Sequence, residues 1–106
     1  MQTTITARHC EINEALRERA RTVVERLGAL AHRPIECVVL FDTDGGQPTA
    51  ELRLHAARGE LLVARGEADD HRTALDRAEE KLRHQLDKDP ANPKARRSRD
   101  SLPKIG

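Results

Sequence analysis

Tryptophan and tyrosine are absent from this 106-residue chain, and phenylalanine occurs once, at Phe41. A protein that grips nucleic-acid bases by stacking needs rings, so that mode of recognition is almost closed to it. Long apolar runs are missing too: none approaches the ~18 residues that a membrane helix requires. The opening Met1-Gln2-Thr3-Thr4-Ile5 has neither the basic patch nor the apolar stretch of a secretory signal. The expectation is a cytoplasmic protein with no membrane partner. Cysteine is scarce. Cys10 and Cys37 stand far apart in no CxxC spacing and read as partly buried thiols of a reducing compartment, with a disulfide as the alternative.

The signatures of catalysis are equally thin. There is no nucleophile elbow, no glycine loop for cradling phosphate and no HExxH segment. His9, Cys10, Cys37 and His55 match no metal-ligand spacing. Asp69-Asp70 looks like a carboxylate pair, but helix capping accounts for both. The chain therefore reads as a binding protein and not an enzyme, with no metal, no cofactor and no small-molecule substrate.

What the chain has in quantity is charge, at 35% of residues, although 19 basic and 18 acidic side chains leave a net charge of only +1. The distribution says more than the sum. Residues 1–67 hold nine basic and ten acidic groups, whereas residues 90–106 hold Lys94, Arg96, Arg97, Arg99 and Lys104 against Asp100 alone.

Periodicity places the elements. Residues 3–7 alternate and suggest a first strand with Ile5 facing inward. Asn13 can cap a helix carrying Leu16, Ala20, Val23, Val24, Leu27 and Leu30 at helical spacing, to about Ala31. Gly28 lies near its end, where the last turn can fray. Residues 35–41 form a nearly continuous apolar run, the mark of a central strand, and residues 42–48 are dense in turn formers and predict an exposed loop. Then Ala50, Leu52, Leu54 and Ala56 alternate with Glu51, Arg53 and His55, a strand with one wet face. Arg58-Gly59 turns it into a fourth strand over residues 61–67. Asp69 is the expected N-cap of a second helix, with Asp70 in its first turn and Leu75, Ala78, Leu82 and Leu86 as its apolar stripe. Asp89-Pro90 ends it. The fold class is α+β, in the order β-α-β-β-β-α, with two helices packed on one face of a four-stranded sheet. Residues 1–89 make the domain and residues 90–106 a flexible basic tail.

On a wheel of about 100° per residue, with Leu75 at zero, the basic Arg77, Lys81, His84 and Lys88 gather at about 180–240°. Asp76, Glu80 and Asp87 gather at about 100–140°. The basic stripe runs for about 16 Å, enough to follow several phosphates. A solvated face is the plainer alternative. Arg8 and His9, at the end of the first strand, can meet RNA or cap the local turn, and Arg53 and His55 are equally open.

Two segments resemble a known family. Ile5-Thr6-Ala7-Arg8-His9-Cys10-Glu11-Ile12-Asn13-Glu14-Ala15-Leu16-Arg17 is similar to the opening of the hibernation promoting factor and ribosome-associated inhibitor family, where a strand ends in a Gly-Arg-His-like segment. Asp69-Asp70-His71-Arg72-Thr73-Ala74-Leu75-Asp76, then Lys81-Leu82-Arg83-His84-Gln85-Leu86-Asp87-Lys88, resembles that family's acidic cap and its Lys-Leu-x-x-Gln-Leu-x-Lys helix. The resemblance covers about residues 1–88. It implies a double-stranded-RNA-binding-domain-like fold seated on the small ribosomal subunit, blocking the channel of messenger and transfer RNA through rRNA contacts.

On that resemblance Arg77, Lys81, Arg83 and Lys88 contact rRNA phosphates, with Arg8 and His9 as lesser candidates and His84 as part of the basic stripe. Arg83 lies outside the stripe, so its case rests on the family likeness. Long members of the family carry an extra C-terminal domain that pairs ribosomes, for which this chain is expected to be too short. It departs from the family at Arg72, where tyrosine is usual, at Ala7, where glycine is common, and at Asp89-Pro90, which stop the helix. The alternative is a module of the same fold for another structured RNA or a transcription protein.

Overall fold

A computed structural model describes residues 1–57, 61–89 and 92. Its elements are β1 (Gln2–Ala7), α1 (Glu14–Leu30), β2 (Pro34–Asp44), β3 (Gln47–Ala56), β4 (Leu61–Glu67) and α2 (His71–Lys88). The strands lie in the order β1-β2-β3-β4, with β1 parallel to β2 and the other two pairings antiparallel. Helix α1 lies over β1 and β2, and α2 over β3 and β4. This is the expected α+β order with both helices on one face.

Local chemistry sets the boundaries. Asn13 caps α1 by accepting the Leu16 amide at 2.8 Å, and Ala20, Val23, Val24 and Leu27 turn inward. Leu30, expected in that stripe, is exposed; Ala31, just past the helix, is buried in its place. The cap of α2 is Asp70, one residue later than expected: its carboxylate accepts the Thr73 amide at 2.7 Å and the Thr73 hydroxyl at 3.0 Å. Asp69 stays exposed, between the Ala68–Pro48 backbone bond that closes β4 and the start of the helix.

The loop expected over residues 42–48 is mostly strand. Pairing continues to Asp44 opposite Gln47, and the reversal needs only Gly45 and Gly46, at φ +57° and +82°. Two consecutive positive φ values match the sheet's twist and close a two-residue hairpin, a conformation that glycine adopts at no steric cost. The expected turn at Arg58-Gly59 and the tail, Asn92 excepted, lie outside the described residues.

The core is the layer between sheet and helices, and its largest fully buried side chains include Phe41, Leu27, Leu52, Leu54, Leu75 and Leu82. Each contributes roughly 1.5–3 kcal/mol relative to exposure. Ala50, Leu52 and Leu54 are buried as the alternation of β3 requires, while Ala56 at its end is half-buried. Two small features position α2. Gly66 has no room for a side chain: a Cβ there would lie 2.1 Å from the Ala74 carbonyl oxygen and 2.7 Å from the Ala78 nitrogen. Backbone therefore rests directly on backbone. At the other end, buried Asn92 donates to the Leu30 carbonyl at 3.0 Å and the Leu86 carbonyl at 3.4 Å, fastening the ends of both helices.

Candidate nucleic-acid interface

Helix α2 buries Ala74, Leu75, Ala78, Leu82 and Leu86 and leaves two flanks of opposite chemistry. Toward α1 two carboxylates of the helix are paired with arginines. Arg26 meets Glu79 through two parallel hydrogen bonds, both at 3.0 Å, with the Glu79 side chain only 8% exposed. Arg19 meets Asp76 at 3.1 Å. Of the acidic stripe, then, Asp76 is an interhelix tie, and the deepest carboxylate is Glu79, which lay outside it.

The flank toward β4 is built differently. Arg77 Nη1 donates to the Glu67 carbonyl at 2.7 Å, Lys81 Nζ to the Arg65 carbonyl at 2.8 Å, and Gln85 Nε2 to the Val63 carbonyl at 2.8 Å. β4 is the outer strand of the sheet, and an outer strand turns alternate carbonyls away from its neighbour. Four helix residues advance about 6 Å and two strand residues about 6.6–6.8 Å, so the donors and carbonyls stay in step over three rungs. A carbonyl is neutral. It fixes the position of each cation without cancelling its charge, leaving two N–H bonds on Lys81 and four on Arg77.

The sequence-predicted residues fall into three groups. Arg77, Lys81, His84 and Lys88 are exposed along one line of α2. Arg83 is exposed too, but lies one turn beyond Glu79 on the flank that faces α1. Arg8 and His9 follow β1, the first strand in the sheet order, with β2 and β3 between them and β4. There the local turn occupies His9: at φ +56°, its Nδ1–H donates to the Asp42 carboxylate at 3.0 Å. That bond, with the Thr43 amide at 2.7 Å, holds the Asp42 carboxyl below its usual range. His71 joins the same corner, donating to the Asp42 carbonyl at 2.8 Å and meeting Phe41 edge-on.

Three residues bear on the site that sequence reasoning passed over. Gln85 makes the third rung, signalled by its place four residues after Lys81 and as the glutamine of the Lys-Leu-x-x-Gln-Leu-x-Lys pattern, though no role was read from it. Gly66 seats the helix, signalled by a glycine at a core-facing position of β4. Arg65 gathers two carboxylates, Asp44 at 2.9 Å and Glu67 at 3.5 Å.

Elsewhere the chemistry is quiet. Burial pushes the Cys37 thiol up to about 11, and the Cys10 thiol is raised as well, so neither is a ready nucleophile. Among the described residues no cluster of three or more His, Cys, Asp or Glu can hold a metal ion, and no helix is long and apolar enough to cross a membrane. A groove of about 570 Å³ between the leading ends of the helices mixes Glu11, Glu18 and Asp70 with Arg19 and Arg72.

A model of the family described as sigma 54 modulation protein / S30EA ribosomal protein matches residues 3–90. Among solved structures, the chain is similar to a ribosomal subunit interface protein from Coxiella burnetii, with 22% identity and a TM-score of 0.72 over 83% of this chain and 96% of that one. It is also similar to the N-terminal domain of Protein Y from Thermus thermophilus, with 25% identity and a TM-score of 0.69 over 81% of this chain and 96% of that one. No curated protein sequence matches it.

Proposed function

The chain belongs to the sigma 54 modulation protein / S30EA ribosomal protein family, and on that premise we propose that it is a ribosome-binding translation inhibitor of the hibernation type. It acts in the cytoplasm, binds the small ribosomal subunit and occupies the channel of messenger and transfer RNA. Recognition is by shape and phosphate charge; it requires no base stacking, which a chain with one aromatic residue could scarcely supply. The observation that carries this reading is the line of exposed basic side chains on α2, with Arg77 and Lys81 held by neutral carbonyls and not by carboxylates.

Lys88 and His84 extend that line. Arg83 contributes from the other flank, and Arg8 and His9 are lesser contacts at the far side of the sheet. Residues 1–89 form the binding domain, and residues 90–106 add five basic groups beyond the last lysine of the helix. The protein blocks by occupancy and performs no catalysis.

Co-sedimentation with separated ribosomal subunits at low and moderate salt tests this. Saturable binding to the small subunit is expected, weakening steeply with salt and lost in the Lys81→Glu, Lys88→Glu double variant. A folded protein that ignores the small subunit at low salt sinks the proposal. Binding that tolerates both reversals points instead to a partner recognised through another face.

A further inference from the structure

We infer that the seam between α2 and the outer edge of β4 is a seat for a single sugar-phosphate strand of RNA, in which Arg77 and Lys81 take successive phosphates while Gln85 acts as a positioning residue that touches none. The inference rests on the ribosome-binding reading above and names the element that is bound.

The three rungs repeat one bond with different side chains. Gln85 shows that a neutral amide suffices to cover an outward carbonyl, at 2.8 Å, the same distance as Lys81. The positive charges at 77 and 81 are therefore surplus to protecting the strand edge. They are also spaced for a purpose beyond it. Two carbonyls on one edge of a strand lie about 6.6–6.8 Å apart, close to the separation of neighbouring phosphates along one nucleic-acid strand. Long cationic side chains ordinarily lose rotamer freedom when they meet a ligand; here the carbonyls have already ordered them, which favours binding. Arg65 adds to the arrangement by engaging the carboxylates of Asp44 and Glu67, the second of them on the strand that carries the rungs.

Each rung can be broken in two ways, and titrations of labelled full-length protein against small subunits over a range of salt separate them. Lys81→Gln keeps a donor and loses the charge, so the slope of log affinity against log salt should flatten by about 0.7, the value for one single-strand phosphate contact. Gln85→Leu loses the donor and no charge, so affinity should fall roughly 2- to 10-fold with the slope unchanged. Gln85→Lys keeps a donor and adds a charge, and should bind at least as tightly with a slope steeper by about 0.7; it also serves if the leucine variant does not fold. Wild-type affinity in Gln85→Leu, or an unchanged slope in Lys81→Gln, overturns the seam while ribosome binding by the parent protein stands. The same pattern on an oligouridylate, from a protein that ignores small subunits, keeps the seam and removes the ribosome. Binding to neither overturns both.

Discussion

The two flanks of α2 hold charged side chains by opposite means. On the α1 side an arginine meets a carboxylate, Arg26 with Glu79 and Arg19 with Asp76, and each pair spends its charges on the other. On the β4 side Arg77 and Lys81 meet backbone carbonyls, which order them and leave the charge intact. The first arrangement fastens helix to helix. The second presents cations at fixed points on the surface. A net charge of +1 is thus compatible with a strongly basic line, because two of the acids of α2, Asp76 and Glu79, are engaged from behind.

The harshest way to break this comparison is to lift the helix. Gly66→Ala would place a Cβ against the carbonyl of Ala74 and the nitrogen of Ala78, and backbone cannot swing aside as a side chain tip can. Overpacking of this kind costs about 3 kcal/mol, the upper part of the usual range. In a domain this size that is a fall in Tm of roughly 12–24 °C, read by thermal unfolding. The β4 rungs should open before the α1 pairs, so ribosome binding should fall further than the lost stability alone explains.

Arg26→Ala breaks the other flank and sharpens the contrast. It strands the buried Glu79 carboxylate, and breaking a buried pair costs several kcal/mol. The Arg26 side chain is 45% exposed, so solvent screening reduces the expected loss to about 2 kcal/mol, measured by urea unfolding. Glu79→Gln should cost less, since the arginine left behind can return to water. The decisive comparison is electrostatic. Arg26→Ala removes a whole positive charge, yet below its melting range it should leave the salt slope of ribosome binding unchanged, because that charge was already spent.

Why the charges on both flanks were legible and their partners were not follows from what the sequence can carry. The apolar stripes of α1 and α2, the Asn13 cap and the alternation in β3 are local patterns, and, Leu30 apart, each lies where its spacing puts it. The sorting of basic from acidic residues on α2 was visible on the same grounds. Their partners were not. Arg19 and Arg26 lie 57 and 53 positions from Asp76 and Glu79, and no local pattern joins them. The β4 rungs end on carbonyls, which every residue possesses and no sequence marks. Residues 42–48 misled for the opposite reason: Asp42, Thr43 and Pro48 look like turn formers, but two glycines already supply the turn, and strand pairing takes the rest. The cap slipped by one residue because Asp69 and Asp70 offer the same carboxylate, and only the exit of β4 decides between them.

The gentlest test sets one glycine against the other. Gly28 sits in α1, remote from the β4 rungs, and a Cβ there meets the Met1 methyl at 2.9 Å. That contact is also under 3 Å, as is the 2.7 Å one at the Ala78 nitrogen, but its obstacle is the end of a flexible chain on a residue that is 50% exposed. Met1 can turn away. Replacing a glycine inside a helix then recovers the backbone entropy that glycine loses on folding, up to about 1 kcal/mol and nearer 0.5 in a last turn. Gly28→Ala should therefore raise Tm by roughly 2–4 °C and leave ribosome binding as it was. If it lowers Tm instead, Met1 is held in place by the end of α1, and the beginning of the chain belongs to the packed body as firmly as Asn92 does.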